Sequence, residues 1–121
     1  MEYLYITLKA IIFLGIINVW LLRFSKSTSW RGGEAKSMKE EFAVYGLSEN
    51  IMYLVGVLKV LSASLILISI WYPSLLIYGA GVMTILMIGA IFMHVKVKDP
   101  LQKSLPAALM LLMSIILLIS V

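Results

Sequence analysis

Lys59, His94 and Asn18 are polar residues that interrupt or close long apolar runs, and they are the side chains best placed to do chemistry. Lys59 stands in Gly56-Val-Leu-Lys-Val, about nine residues into its run. Helical rise places it about 13 Å along a helix, near the middle of a bilayer. A charge at that depth costs roughly 2.5–3.5 kcal/mol on insertion scales, so a ligand or an internal partner is implied. Its neighbours at helical spacing include Gly56, Ser62 and Ala63, a small-residue face suited to close helix approach, which turns Lys59 towards other helices. With His94 and Asn18 it could bind an anionic or carbonyl-bearing lipid or a quinone. Paired instead with Glu49, His94 or Asp99, or with backbone carbonyls, it would fix helix packing. The residues leave both readings open. His94 is the only histidine, so it reads as a hydrogen-bonding residue and no metal site is expected.

The elements that must position these residues are four apolar runs, Leu4 to Leu22, Ile51 to Ile70, Leu75 to Met93 and Leu101 to Val121. Each is close to the ~20 residues needed to cross a hydrocarbon core as a helix. Hydrophobic residues make up 62% of the chain and charged ones 13%, against about 45–50% and 25% in soluble domains. The expected fold is all-α: an antiparallel bundle of four transmembrane helices, in a single domain spanning 1–121, with its last helix starting near 100. The N-terminus Met1-Glu-Tyr-Leu-Tyr lacks a basic n-region and a small-residue cleavage site, so the first run is expected to remain a membrane helix.

Basic residues gather in two connections: Arg23, Lys26, Arg31, Lys36 and Lys39 in one, Lys96, Lys98 and Lys103 in the other. The positive-inside rule then places loops 23–50 and 94–103 in the cytoplasm and both termini outside, in a bacterial inner membrane. Lys9 lies close enough to a helix end to snorkel. Within the first loop Ala35, Met38, Phe42 and Tyr45 recur at helical spacing. They predict a short amphipathic interfacial helix ended by Gly46, with Phe42 and Tyr45 anchored at headgroup depth. Trp71-Tyr-Pro-Ser predicts a tight hairpin, and Gly79, Ala80, Gly81, Gly89 and Ala90 a packing surface on the third span. Asp99, Pro100 and Gln102 predict a capping-box-like start to the fourth helix, and Pro106 a bend inside it that frees the Gln102 carbonyl.

Several function classes fall away. The absence of cysteine excludes disulfides, thiolate metal sites and Cys-x-x-Cys redox chemistry. No Gly-x-Ser-x-Gly, paired histidines or glycine-rich phosphate loop is present, and no catalytic residue is assigned. The net charge of +4 sits in short loops beside membrane spans, which fits orientation and anionic lipid better than nucleic acid.

Trp30-Arg-Gly-Gly, Met38-Lys-Glu-Glu-Phe, Tyr45-Gly-Leu, Val55-Gly-Val-Leu-Lys-Val, Gly89-Ala, His94 and Asp99-Pro followed by Ser104-Leu-Pro-Ala resemble the DoxX-like membrane proteins, from about Gly15 to the C-terminus. The branch resembled carries lysine in the second span where other DoxX proteins carry glutamate. The resemblance implies a four-helix membrane fold and a common internal region at Lys59, His94, Asp99 and Pro106. It also implies a spread of roles: a small subunit of a thiosulfate:quinone oxidoreductase, components linked to oxidative-stress responses, and an endoplasmic-reticulum chaperone for nicotinic receptors.

The leading expectation is a non-catalytic small subunit, scaffold or assembly factor for a membrane-protein partner, or a homo-oligomer, in contact with membrane lipids. The alternative is a lipid- or quinone-binding oxidoreductase component, with Lys59, His94 and Asn18 at the ligand and Arg31, Lys96 and Lys98 on anionic headgroups. A small transporter is the third reading. No cofactor is expected beyond a quinone or lipid. Gly56, Ser62, Ala63 and Gly89 are expected to serve helix packing.

Overall fold

The computed structural model describes residues 2–121. Helix α1 (Glu2–Ile17) runs into a wider π-type turn over Asn18–Leu22, closed by the Arg23 N–H on the Asn18 carbonyl at 2.9 Å. The short α2 (Met38–Val44) starts where Ser37 Oγ accepts the Glu40 N–H at 3.1 Å. It ends at Gly46, whose φ of +79° lets Leu47 N–H reach the Phe42 carbonyl at 2.9 Å and Gly46 N–H reach that of Ala43 at 3.0 Å. Helix α3 (Glu49–Ile68) is capped by Ser48, which accepts from Ile51 N–H at 3.3 Å. A 3₁₀ turn over Pro73–Leu75 leads into α4 (Leu76–Lys96), and another over Leu101–Ser104 into α5 (Leu105–Ile119).

The four membrane-length segments are Glu2–Leu22, Glu49–Ile68, Pro73–Lys96 and Leu101–Ile119, each within three residues of the expected run. They close a ring in which α1 and α4 each pack against both α3 and α5. Ile12, Met52, Ile66, Met83 and Leu117 fill the centre, while Leu14, Leu61, Phe92 and Leu109 point outward. Lipid tails are as apolar as these outward side chains, so close packing must hold the helices together. Gly79 shows how close: a Cβ built there would fall 2.9 Å from the Ser62 carbonyl oxygen of α3. Ser62 and Ala63 are buried along that contact, and Gly56 admits the Trp20 ring of the π turn. Gly89, expected among the packing residues, is different. A Cβ there would meet nothing within 4 Å, because the residue borders a cavity and not a neighbouring helix.

Two further expectations are corrected. Residues 35–45 do present one apolar face, but Ala35, Met38, Phe42 and Tyr45 are all buried against the protein. Phe42 packs edge-on to Trp20 with centroids 5.9 Å apart, so α2 is a lid on the bundle and its aromatics are not headgroup anchors. An apolar stripe buries equally well against lipid or protein, and here the bundle end was uncovered. Nor do Asp99, Pro100 and Gln102 form a capping box. The first turn is 3₁₀ with no side-chain cap, and the Asp99 carboxylate is engaged elsewhere. The α-helix restarts at Leu105, which puts Pro106 in its first turn, where a missing N–H costs nothing. The Gln102 carbonyl is not freed, since Leu105 N–H donates to it.

Gly79→Ala should therefore lower stability by about 1–3 kcal/mol through overpacking at the α3–α4 contact. Gly89→Ala, made in open space on a helix, should leave it unchanged or slightly raised. Thermal unfolding of both variants in one detergent checks the contrast.

Candidate functional site

Arg31 builds the first part of the site. Its guanidinium donates through Nε to the Lys26 carbonyl at 2.9 Å and through Nη2 to those of Arg23 at 2.5 Å and Phe24 at 3.3 Å. Nη1 lies 3.9 Å from Glu41 Oε2 and 3.7 Å from Met38 Sδ. The planar fork thus folds 23–31 into a closed loop and presses it on α2, with the residue only 4% exposed. Arg31 is consequently not the headgroup contact that the sequence led us to expect, because its donors are already engaged inside the protein. Lys96, another expected headgroup contact, donates to the Tyr45 carbonyl at 3.1 Å and ties α4 to the end of α2. Lys98 is exposed in the turn after α4, at φ +59°.

A buried polar chain crosses from α2 to the start of the last span. The Tyr45 hydroxyl lies 3.4 Å from His94 Nε2, and His94 Nδ1 lies 2.7 Å from Asp99 Oδ2. Oδ1 of Asp99 accepts the Gly33 N–H at 2.9 Å and sits 4.0 Å from Lys103 Nζ, which itself donates to the Gly33 carbonyl. Burial alone would raise the Asp99 carboxyl, but the bonds from His94 and Gly33 and the Lys103 charge outweigh it and hold the group below its ordinary value. The Tyr45 phenol is pushed well above its ordinary value by burial and by the carboxylates of Glu41 and Asp99, so it stays protonated. Gly32 makes room for this ring: a Cβ there would overlap it.

Beneath α2 lies a cavity of about 880 Å³, within the ~300–1,000 Å³ range of small-molecule sites. Its walls are mainly apolar; Lys59, Asn18, Glu41, Tyr45 and His94 are among its polar lining, together with Arg23, Arg31, Lys103 and residues 27–29. The Lys59 ammonium lies 5.2 Å from the centroid of the Trp20 ring and makes no hydrogen bond or ion pair among the described residues. The sequence offered Glu49, His94 and Asp99 as its partners, and it is paired with none. Glu49 pairs with Lys39 at 2.8 Å on the surface, and His94 and Asp99 pair with each other. Asn18 uses Oδ1 to accept from Arg23 Nε at 3.2 Å, which leaves its amide N–H₂ to the cavity. Three expected ligand residues, Lys59, His94 and Asn18, thus border one cavity. Gly89 and Pro106 border it as well.

Sequence reasoning missed Trp20 and Glu41, and gave Tyr45 a different task. A tryptophan near the end of a membrane run reads as an interfacial belt residue. The π turn that swings Trp20 under Lys59 has no side-chain signature, although such turns recur at functional sites. Glu41 and Tyr45 did carry a signal, the i,i+4 spacing of a carboxylate and a phenol on one helix.

The sequence profile of the DoxX-like family matches residues 16–116, a stretch that contains every polar residue of the cavity and of the chain from Tyr45 to Lys103. The protein belongs to the DoxX-like family. Its four apolar spans and that membership make it an integral membrane protein in contact with lipid. No curated protein and no solved structure matches the chain. In this DoxX-like protein the lysine of the second span and the histidine closing the third share a cavity without touching each other.

The bonded Asp99 gives a signed prediction. Its folded value lies below the ordinary 3.8, so its contribution to stability is complete above that pH and is lost as pH falls through the folded value. Asp99→Asn should cost about 1–3 kcal/mol at neutral pH and flatten the acid limb below about pH 4. Melting temperatures of both proteins from pH 7 to 3 test this; parallel acid limbs would remove Asp99 as the cause.

Proposed function

We propose that this DoxX-like protein binds a membrane-soluble amphiphile, a quinone or a lipid, with its polar head beneath α2 and its apolar body among the helices. The observation that supports this most is Lys59, an N–H donor above an aromatic face in a mainly apolar cavity, with no bonded acceptor among the described residues. An intramembrane lysine engaged in packing alone would be expected to have an internal carboxylate or carbonyl on its ammonium. A carbonyl or anionic oxygen of a ligand would supply that missing acceptor, and the mostly apolar lining suits a ring or acyl chain. Service as a small subunit for a larger membrane complex is compatible with such a site, whose ligand would then be shared with the partner.

Wild type and Lys59→Met, purified in mild detergent, should differ in native mass spectra: wild type retains a defined amphiphile and the folded variant is stripped of it. An empty wild type, together with a variant altered in assembly, would overturn ligand binding and favour the scaffold reading. Circular dichroism of both samples separates loss of ligand from loss of fold.

The membrane placement carries its own test. We propose, from the basic loops, that α2 and the turn after α4 face the cytoplasm of a bacterial inner membrane with both termini outside. Lys36→Cys, on an exposed side chain beside the α2 cap, should be protected from an impermeant thiol reagent in sealed cells and labelled after lysis. Rapid labelling of sealed cells would invert the topology.

A further inference from the structure

The hydrogen-bonding sense of the cavity can be followed group by group. Asp99 is held as a carboxylate and therefore only accepts, so His94 Nδ1 carries the proton in their 2.7 Å contact. In the neutral imidazole this leaves Nε2 as an acceptor, and Tyr45 O–H must donate to it. The phenolic oxygen then has lone pairs but no free proton to offer the cavity. The phenol proton has a second acceptor beside it, the Glu41 carboxylate. Glu41 Oε2 also accepts the Gly32 N–H at 3.0 Å and lies 3.9 Å from Arg31 Nη1. Either way the α2 wall accepts.

The opposite walls donate. Among the described residues Lys59 on α3 has N–H groups with no protein acceptor, and Asn18 in the π turn, whose Oδ1 is bound to Arg23, has no acceptor on its N–H₂. The other cationic donors at the cavity are Arg23, which sits on the Asn18 side and donates to its Oδ1, and Arg31 and Lys103, which are committed to backbone carbonyls of residues 23–33. Arg23 adds to the donor side, and Arg31 and Lys103 are not available to reverse the sense of the α2 wall.

We propose that the cavity is polarised, with acceptors on α2 and its C-cap (Glu41 and Tyr45) across from donors on α3 and in the π turn after α1 (Lys59 and Asn18), so that it selects a head group bearing both a hydroxyl donor and an acceptor oxygen. A hydroquinone has that pattern, since each phenolic oxygen can donate and accept. The matching quinone has acceptor oxygens alone and would turn one of them onto the lone pairs of Tyr45 and Glu41. Repulsion between acceptors, with their hydration lost, disfavours it. This inference rests on the ligand-binding reading above and adds a direction to it: the reduced, hydroxyl-bearing form is the one held.

The test uses the full chain in detergent under anaerobic conditions. A decyl-substituted dimethoxy-methyl benzoquinone and its hydroquinone are titrated separately and followed by tryptophan fluorescence, with Trp20 at the cavity as reporter. The hydroquinone should bind about tenfold tighter, the effect of one well-placed hydrogen bond. Tyr45→Phe, which keeps the ring and removes the oxygen, should erase most of that ratio by weakening the hydroquinone alone. Glu41→Gln, which replaces one acceptor oxygen by a donor, should shift the ratio the same way and guards against a folding defect in the first variant. Equal affinities, or a tighter quinone, would overturn the polarity while leaving a ligand site in place. Binding of neither probe overturns the polarity too. The ligand reading itself then falls only if native mass spectra of the wild type are also empty.

Discussion

The Asp99 carboxylate bonds to His94 on α4 and to Gly33 in the first loop, and Lys103 before α5 reaches it as well. Through His94 the tie extends to Tyr45 on α2. A single buried anion therefore joins four segments, two of which, at Gly33 and Tyr45, are far from it in sequence, at the end of the bundle where the helices would otherwise splay. Buried polar groups are costly unless every one is satisfied, and here each satisfies the next. The lid, the mouth of the cavity and the orientation of the histidine all follow from that chain of bonds.

The same principle accounts for what is left unsatisfied. In the half of the bundle away from α2, small residues such as Gly79 let helices meet backbone to backbone. In the half covered by α2 the π turn, the open face at Gly89 and the lid leave a volume that protein atoms do not fill. Apolar walls alone would make this a packing defect. Lys59 sets it apart from one, since among the described residues its N–H groups have an aromatic ring beside them and no bonded acceptor. Cation–π attraction is worth about 0.5–2 kcal/mol, less than the roughly 2.5–3.5 kcal/mol for a lysine at mid-span, so the ring by itself does not settle the charge.

Arg31 shows how a loop can be as ordered as a helix. Its guanidinium collects three carbonyls of its own loop, which supplies the backbone partners that secondary structure would have given. Lys in its place would offer a point charge without the planar fork. The loop then becomes a rigid surface against which α2 is pressed, and Glu41 and Tyr45 acquire fixed positions over the cavity.

Hydropathy and run length were enough to determine the four spans. Every backbone group inside a bilayer must bond within its own segment, which leaves a long apolar run little alternative to a helix. Lys59 was legible as exceptional for the same reason, and the order of motifs from Trp30 to Pro106 pointed to the family. The local end signals were mixed. Gly46 stopped α2 as its type suggests, whereas Asp99-Pro100 was not a cap, because tertiary bonds to His94 and Gly33 outcompeted the local one. Which surface the apolar face of α2 covers, which partner each charge finds, and that Lys59 finds none were decided only in three dimensions. Those outcomes depend on distances between residues up to 70 positions apart, and nothing in the local spacing of a charge or an aromatic fixes such distances.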